Sequence, residues 1–417
     1  MILKVAFLDV FHGDGAVVTF DQGTEKACIV VDGGEVEEAA KRLSAYLKYE
    51  KADVIDLLVA TYIDSDHVNG LVHLLGQLSD QADSWNHGKT KCIKNYWGPK
   101  PDPDWIPKPK RERPRNLAVD AAATEVHTLE FVINSVEQNQ ALCQLVMQRI
   151  FNPNNIYYPS LQDIPPLDLF SEVELNLFAP DIQILDSDIE AKALALSNAR
   201  YREGLAARTA PSAKKLTLED LRVILAQNGE TMANKADRDA NNQSIVFKLT
   251  PKGSNGAWAD KWSFLFAGDA EHESWERMRQ TKGVREGLPS RVLKVPHHGS
   301  RNGIDEDTLR AIDPVYNIVS VGQKHGLPDG ETLNLIRQSP GRELFCTERN
   351  NNKSKPGPCD AKNCLRGEAA DFRSIRFVID TDNRTETTEI FTINTKLGSI
   401  RIETDDIWCQ EIKWPER

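Results

Sequence analysis

Residues 61–70 read Thr61-Tyr-Ile-Asp-Ser-Asp-His-Val-Asn-Gly70 and follow directly on the apolar run Asp56-Leu-Leu-Val-Ala60. A short apolar run ending in packed Asp, Asp and His reads as a strand delivering metal ligands onto a loop. Asp64 and Asp66 are two positions apart, so in extended chain their carboxylates point to the same side. His67 follows at once, and Gly70 lets the chain turn into the next helix. Carboxylates in a dry cleft repel each other unless a cation sits between them. The same letters also allow a helix start, with Asp66 capping a helix from about Val68.

Two further runs have the same design. Arg291-Val-Leu-Lys-Val-Pro-His-His-Gly-Ser300 is a short apolar stretch ending in ligand-type residues, and Trp262-Ser-Phe-Leu-Phe-Ala-Gly-Asp269 is a buried-strand pattern ending in a carboxylate. A lone His-His pair is more often structural than catalytic. Three strand ends carrying Asp or His, with small residues beside them, point to one assembled metal site.

Around these runs the chain reads as α/β. Strands are expected at 2–10, 15–20, 27–32, 55–61 and 91–96, and again at 172–179, 243–250, 262–268, 291–296 and 315–321. Residues 35–49 carry helical apolar spacing through Ala39, Leu43, Tyr46 and Leu47, a core-packing face. Strands interleaved with helices in two successive halves suit a four-layer αββα sandwich. Three stretches read as additions. Pro99–Arg115 has too many prolines for regular structure, and 116–151 after it reads helical. Residues 186–239 read as charged helices. Residues 350–371 form a polar loop, and the apolar/polar alternation of 374–404 reads as further strands.

Composition sets limits on function. With 417 residues, 40% hydrophobic and 27% charged, the chain can bury a large core. No run is long and apolar enough to span a membrane. Met1-Ile-Leu-Lys-Val-Ala-Phe-Leu-Asp9 reads as a first strand and not a signal peptide, so a cytoplasmic location is expected. The net charge of -11 argues against broad electrostatic capture of nucleic acid, although a local basic patch or a metal can still hold phosphate. Cys28, Cys92 and Cys143 read as buried thiols. Cys346, Cys359 and Cys364 fit neither a paired zinc ribbon nor a secreted disulfide framework well, and a small zinc knuckle is an alternative.

The ordered blocks carry a resemblance. Leu8-Asp-Val-Phe-His-Gly-Asp14, Val31-Asp-Gly-Gly34, Thr61–Gly70, Asn242-Gln-Ser-Ile-Val246, Phe266-Ala-Gly-Asp269, Leu293-Lys-Val-Pro-His-His-Gly-Ser300, and Ser320-Val-Gly322 with Gly326-Leu-Pro328 resemble metallo-β-lactamase-fold hydrolases. Among those they resemble the nuclease-type domain of ComEC competence proteins. The resemblance implies a metallo-β-lactamase-like domain over 1–349, interrupted by insertions at about 99–170 and 186–239. Residues 350–417 would be a Cys-containing loop and C-terminal strands packed on the same domain. Tyr62 stands where the family has its first His, and Leu327 where it has the His of Gly-His-Pro, with His325 two residues earlier.

The resemblance also implies roles. Asp66 and His67 would ligate one metal, Asp269 would bridge, and Asp64 would serve the other metal. One of His297 and His298 would ligate. Asp14 would lie near the site, and Lys294 and Ser300 at its edge, either against phosphate or supporting the ligands from behind. Asp66, Asp269, Lys294 and Asp14 are the expected catalytic set. The cofactor would be one or two divalent ions, and the oxygen-rich donors favour Mn²⁺ or Mg²⁺ over Zn²⁺. Tyr62 reads as a hydrogen-bond donor behind the ligands and not as a ligand.

The leading functional expectation is a metal-dependent phosphodiester hydrolase, a DNA nuclease acting alone or as the effector of a bacterial defence or stress system. The acidic charge favours a second reading, hydrolysis of a small nucleotide or lactone. Tyr62 and Leu327 suggest a third, a non-catalytic binding module. The basic run Lys108-Pro-Lys-Arg-Glu-Arg-Pro-Arg115 reads as a solvated loop, as a nucleic-acid guide with Trp105 stacking on a base, or as a docking or cleavage point. Insertions 99–151 and 186–239 are the expected contact regions for a protein partner.

Overall fold

The computed structural model describes residues 1–22, 25–77, 85–101, 135, 137–180, 241–252, 261–322, 326–347, 371–394, 399–404 and 410–413. It is a mixed α/β structure built on two β-sheets. The first sheet contains β1 (Ile2–Leu8), β2 (Ala16–Gln22), β3 (Glu25–Val31), β4 (Ile55–Val59), β5 (Ile93–Trp97) and β6 (Ile156–Tyr157). The second contains β7 (Val173–Ala179), β8 (Val246–Pro251), β9 (Phe264–Phe266), β10 (Val292–Lys294), β11 (Tyr316–Val319) and β12 (Glu343–Cys346). The chain then returns to the first sheet through β13 (Asp371–Asp380), β14 (Thr385–Asn394), β15 (Ser399–Thr404) and β16 (Gln410–Lys413). The spatial orders are β16-β15-β14-β13-β1-β2-β3-β4-β5-β6 and β12-β11-β10-β9-β8-β7.

Period-2 alternation sends successive side chains to opposite faces of a strand. Leu57 and Val59 of β4, Ile29 and Val31 of β3, and Phe264 and Phe266 of β9 all enter one core between the sheets. There Phe247 stacks on Phe266 with ring centroids 5.0 Å apart, and Phe7 meets Phe266 at 5.8 Å. The alternate residues face outward. Val30 and Leu58 pack under α1 (Glu37–Glu50) and α2 (Ser65–Gly76) through Leu43, Leu47, Val68 and Leu71. Leu265 and Leu293 pack under Trp275, Leu309 and Leu333 of the helices His272–Gln280, Glu306–Ile312 and Gly330–Arg337.

In each sheet an antiparallel part adjoins a parallel part. The change comes at β3, which pairs antiparallel with β2 and parallel with β4, and at β9, antiparallel with β8 and parallel with β10. Parallel strands deliver their connecting loops to one common edge, so the loops after β4, β9, β10 and β11 are gathered together.

The C-terminal strands extend the first sheet. β13 pairs antiparallel with β1 from Ile2↔Asp380 to Leu8↔Ser374. The buried Arg376 sits 3.4 Å from the buried carboxylate of Glu50, which also pairs with Lys4 and Lys26. Of the expected additions, residues 137–149 are helical. Residues 102–134 and 186–239, the basic run, His325, Cys359 and Cys364 lie outside the described residues. Cys28, Cys92, Cys143 and Cys346 are buried thiols.

Candidate metal centre

The loops after β4, β9 and β10 meet where the two sheets adjoin. Backbone bonds lock them together: Ile245 N–H donates to the Thr61 carbonyl at 2.7 Å, and His297 N–H to the Gly268 carbonyl at 3.1 Å. Asp14 N–H donates to the Asp66 carbonyl at 3.1 Å. That approach needs Gly13, with φ +109, because a Cβ there would fall 2.0 Å from the Asp66 carbonyl oxygen. Ser244 Oγ accepts from Asp269 N–H at 3.0 Å and fixes the loop after β9.

Asp66, His67, Asp269 and His298 are all buried and bring four ligand-type atoms within 4.8 Å of one another. His67 Nε2 lies 3.2 Å from Asp269 Oδ1 and 3.8 Å from Asp66 Oδ1. His298 Nε2 lies 2.8 Å from Asp66 Oδ2 and 3.6 Å from Asp269 Oδ2. The other nitrogen of each ring faces an acceptor. His298 Nδ1 sits 2.9 Å from the Ser320 carbonyl, which can only accept. His67 Nδ1 sits 3.1 Å from Asp32 Oδ2. Each neutral imidazole therefore carries its hydrogen on Nδ1 and turns the Nε2 lone pair toward the carboxylates. Among the described residues, His67 Nε2, His298 Nε2 and Asp269 Oδ1 are buried without a hydrogen-bond partner.

In the neutral forms lone pairs would face lone pairs in a buried cluster, so either protons on the Nε2 atoms or a cation must lie between them. The donor set of two carboxylates and two imidazoles, with outer nitrogens held by a carboxylate and a carbonyl, fits a divalent ion. The electrostatics agree. Burial alone would depress His298, but Asp269, Asp14 and Asp66 outweigh it and push its pKa up to about 10. His67 is likewise raised, with Asp269, Asp32 and Asp66 opposing burial. Burial raises Asp66 and Asp269, yet His67 and His298 hold both below the usual carboxylate range.

The backbone is strained at this point. Asp32, His297 and His298 have φ of 56, 48 and 51, the left-handed region that non-glycine residues seldom adopt and that costs roughly 1–3 kcal/mol each. Such outliers persist where surrounding structure enforces them, and here they surround the ligand atoms.

Other expected site residues take different places. Asp64 is outside both groups of ligand-type atoms found among the described residues. The extended geometry that would align it with Asp66 is absent, because α2 already begins at Ser65 with Asp64 as its N-cap residue. Asp66 and His67 then lie in the first helical turn, where the helix dipole favours a carboxylate. His297 is in neither group of ligand-type atoms, although, against burial, Asp269 is the charge that most raises its pKa. Its Nδ1 is 3.0 Å from Glu271 Oε1, which also accepts from Asn241 at 3.0 Å. Of the two places open to Lys294, the structure has it behind Asp14: its side chain is 4% exposed and ion-pairs with that carboxylate. Tyr62 is buried edge-on against His67, ring centroids 5.7 Å apart. Leu327 packs against the core under the second sheet's helices.

Sequence reasoning gave no role to Asp32, Thr61 or Ser320. Asp32 accepts from Thr61 N–H at 2.7 Å, from Thr61 Oγ at 2.6 Å and from the His67 ring. His12, with Nε2 3.4 Å from Asp66 Oδ2, was also passed over. All four lie inside the short blocks quoted above, and that was the available signal.

No family model matches the chain. A curated protein, ComE operon protein 3 of Bacillus subtilis (strain 168), is 26% identical over 149 residues. The match covers 35% of this chain and 17% of that protein, so the chain spans under a fifth of the length of the relative it matches. Among solved structures, a long form RNase Z from yeast aligns over 83% of this chain and 40% of its own. That alignment has a TM-score of 0.33 and 11% identity.

Two expectations follow from the geometry. Asp32→Asn keeps a side chain that tolerates positive φ but removes the carboxylate that orients His67. Ion affinity, measured by equilibrium dialysis, should fall about 10–100-fold; wild-type affinity would remove Asp32 from the centre. The second concerns pH. Protons and the ion compete for the same Nε2 atoms, whose proton affinity is raised. Loading at neutral pH should therefore release protons, and affinity should fall with falling pH by up to about tenfold per unit for each proton displaced. Calorimetry in buffers of differing ionisation heat reads this directly. Loading without proton release would contradict it.

Proposed function

We propose that this chain is a divalent-metal-dependent phosphodiester hydrolase of the metallo-β-lactamase fold that acts on DNA as a nuclease. The observation that carries the reading is the convergence of His67 Nε2, His298 Nε2, Asp66 and Asp269, with the Nδ1 of each ring set against an oxygen. The three stacked cores, helix on sheet, sheet on sheet and sheet on helix, support the four-layer αββα reading. In the same reading, residues 1–349 are the metal-bearing domain, with insertions at about 99–170 and 186–239, and 350–417 are packed on it. Among the described residues no helix is long and apolar enough to cross a membrane. The order of the sequence blocks, which follows that of the ComEC nuclease-type domain, supplies the substrate class.

Asp66, His67, Asp269 and His298 would hold the divalent ion, whose chemistry there would be Lewis acidity and the lowering of a water's pKa toward neutrality. The chain's own residues do the rest. Asp32 and Ser320 hold the two imidazoles in register, so the site is preorganised. Burial of the ligand carboxylates excludes bulk water and strengthens each charge interaction. His297, with a side chain 23% exposed and held by Glu271, is positioned on the solvent side to meet substrate.

The direct test is cleavage of plasmid and single-stranded DNA by metal-depleted protein reloaded with Mn²⁺, Mg²⁺ or Zn²⁺. Turnover should be fastest with Mn²⁺, since carboxylate oxygens make up half of the ligand set, and should vanish in chelator. Cleavage unaffected by chelation would remove the metal-dependent reading. Metal binding without cleavage of DNA or of a small phosphodiester would leave the binding-module reading.

A further inference from the structure

A second group of ligand-type residues adjoins the first: Asp14, Asp32 and His67, all buried. If both groups held ions the centre would be dinuclear. We infer instead that the centre holds a single divalent ion, and that the ammonium of Lys294 stands where a second ion would otherwise sit. This deepens the metal-dependent reading above and rests on it.

The second group's donors are already engaged. The Asp32 carboxylate accepts from Thr61 N–H at 2.7 Å on one oxygen, and from Thr61 Oγ at 2.6 Å and the His67 ring at 3.1 Å on the other. His67 Nδ1 carries a hydrogen toward that carboxylate and has no lone pair to offer, while its Nε2 serves the first group. Only Asp14 remains, and one of its oxygens is ion-paired with Lys294.

The placement of Lys294 follows from the strand. On β10 the side chain of Leu293 enters the core under the helices, and that of Val292 the core between the sheets. Alternation puts Lys294 on the Val292 side, facing inward. At 4% exposure it cannot reach bulk water. Its Nζ lies 3.4 Å from the Gly268 carbonyl, next to the ligand Asp269. A small cavity beside it is lined by Asp14, Asp32, Thr61 and Ser320 on one part and by Phe7, Ala16, Val31 and Phe266 on the rest, so removal of the lysine would leave room beside a buried Asp14 carboxylate without its counter-charge. A hard divalent ion needs little more than one or two carboxylates, with waters completing its shell. A buried ammonium there compensates Asp14 and presents a fixed positive charge beside the ion, the electrostatic part of what a second metal supplies.

The experiment counts ions. Metal-depleted wild type, Lys294→Ala and Asp14→Asn are dialysed against Mn²⁺ and analysed for bound metal, and the loaded wild type is examined by electron paramagnetic resonance. The wild type should hold one ion per chain with the spectrum of an isolated Mn²⁺. Lys294→Ala should admit a second, weaker ion, and Asp14→Asn should still hold one. Two ions in the wild type, or the coupled spectrum expected of ions about 3.5–4 Å apart, would overturn the inference and leave the metal-dependent reading standing. A single ion in Lys294→Ala, or none in Asp14→Asn, would also overturn it. Should Lys294→Ala not fold, the wild-type count and Asp14→Asn still decide. No ion in the wild type would bring down the metal-dependent reading itself.

Discussion

Asp269→Ala is expected to weaken divalent-ion binding by more than about 100-fold, beyond the 10–100-fold range typical of residues behind the ligands. Its two oxygens face both imidazoles, 3.2 Å from His67 Nε2 and 3.6 Å from His298 Nε2. Asp66 also faces both rings, but His12 stands behind it at 3.4 Å and can offer a nitrogen if that carboxylate is lost. Ser244, behind Asp269, engages its backbone amide and not its side chain. Removing the Asp269 carboxylate therefore takes a negative charge from between two imidazoles and puts nothing in its place. Equilibrium dialysis with Mn²⁺ measures the change. Full metal content in Asp269→Ala would show that the ion is held elsewhere, and a smaller loss than in Asp66→Ala would make Asp66 the dominant carboxylate of the centre.

The second large effect is on folding. Gly70→Ala should destabilise the protein by about 3 kcal/mol or more, because the new methyl meets backbone that cannot move aside cheaply. A Cβ at Gly70 would fall 1.8 Å from the Gly33 carbonyl oxygen and 3.1 Å from that of Gly34. This contact docks α2 on the turn that contains Asp32. Gly70 N–H donates to the Gly34 carbonyl at 2.8 Å, and Gly33 N–H to the His67 carbonyl at 2.8 Å. Pushing the two apart also separates His67 Nδ1 from Asp32, so ion affinity should fall together with stability. Gly76, the last residue of α2, is the control: among the described residues nothing lies within 4 Å of a Cβ there. Gly76→Ala should be neutral or stabilising by up to about 1 kcal/mol. Urea unfolding of both variants makes the comparison. A wild-type midpoint for Gly70→Ala would mean that this docking does not support the centre.

Much of the fold was legible because its strands are short apolar runs with turn residues after them. The runs around Leu57, Phe264 and Val292 were read as strands, and each forms one. Their loops were expected to converge, and Asp66, His67, Asp269 and His298 do so. What failed is instructive. Asp64 and Asp66 were paired on the assumption of extended chain, but α2 starts at Ser65. A helix boundary displaced by a few residues changes which side chains share a side. Asp32 was not assigned because its work is to hold His67, 35 positions away in sequence, and no local spacing reports such a partner. Lys294 was placed against phosphate or behind the ligands on the resemblance alone, with the choice left open. Strand alternation with Val292 would have put it inside. The relation between His297 and His298 could not be read either. Both have left-handed backbone, and only His298 joins the group of ligand-type atoms, while Nδ1 of His297 lies against Glu271.

The most direct test of the central claim is anomalous diffraction from crystals soaked in Mn²⁺. The structure predicts a peak enclosed by Asp66, His67, Asp269 and His298, with both Nε2 atoms directed at it. Strong manganese peaks elsewhere, with none among these four side chains, would contradict it.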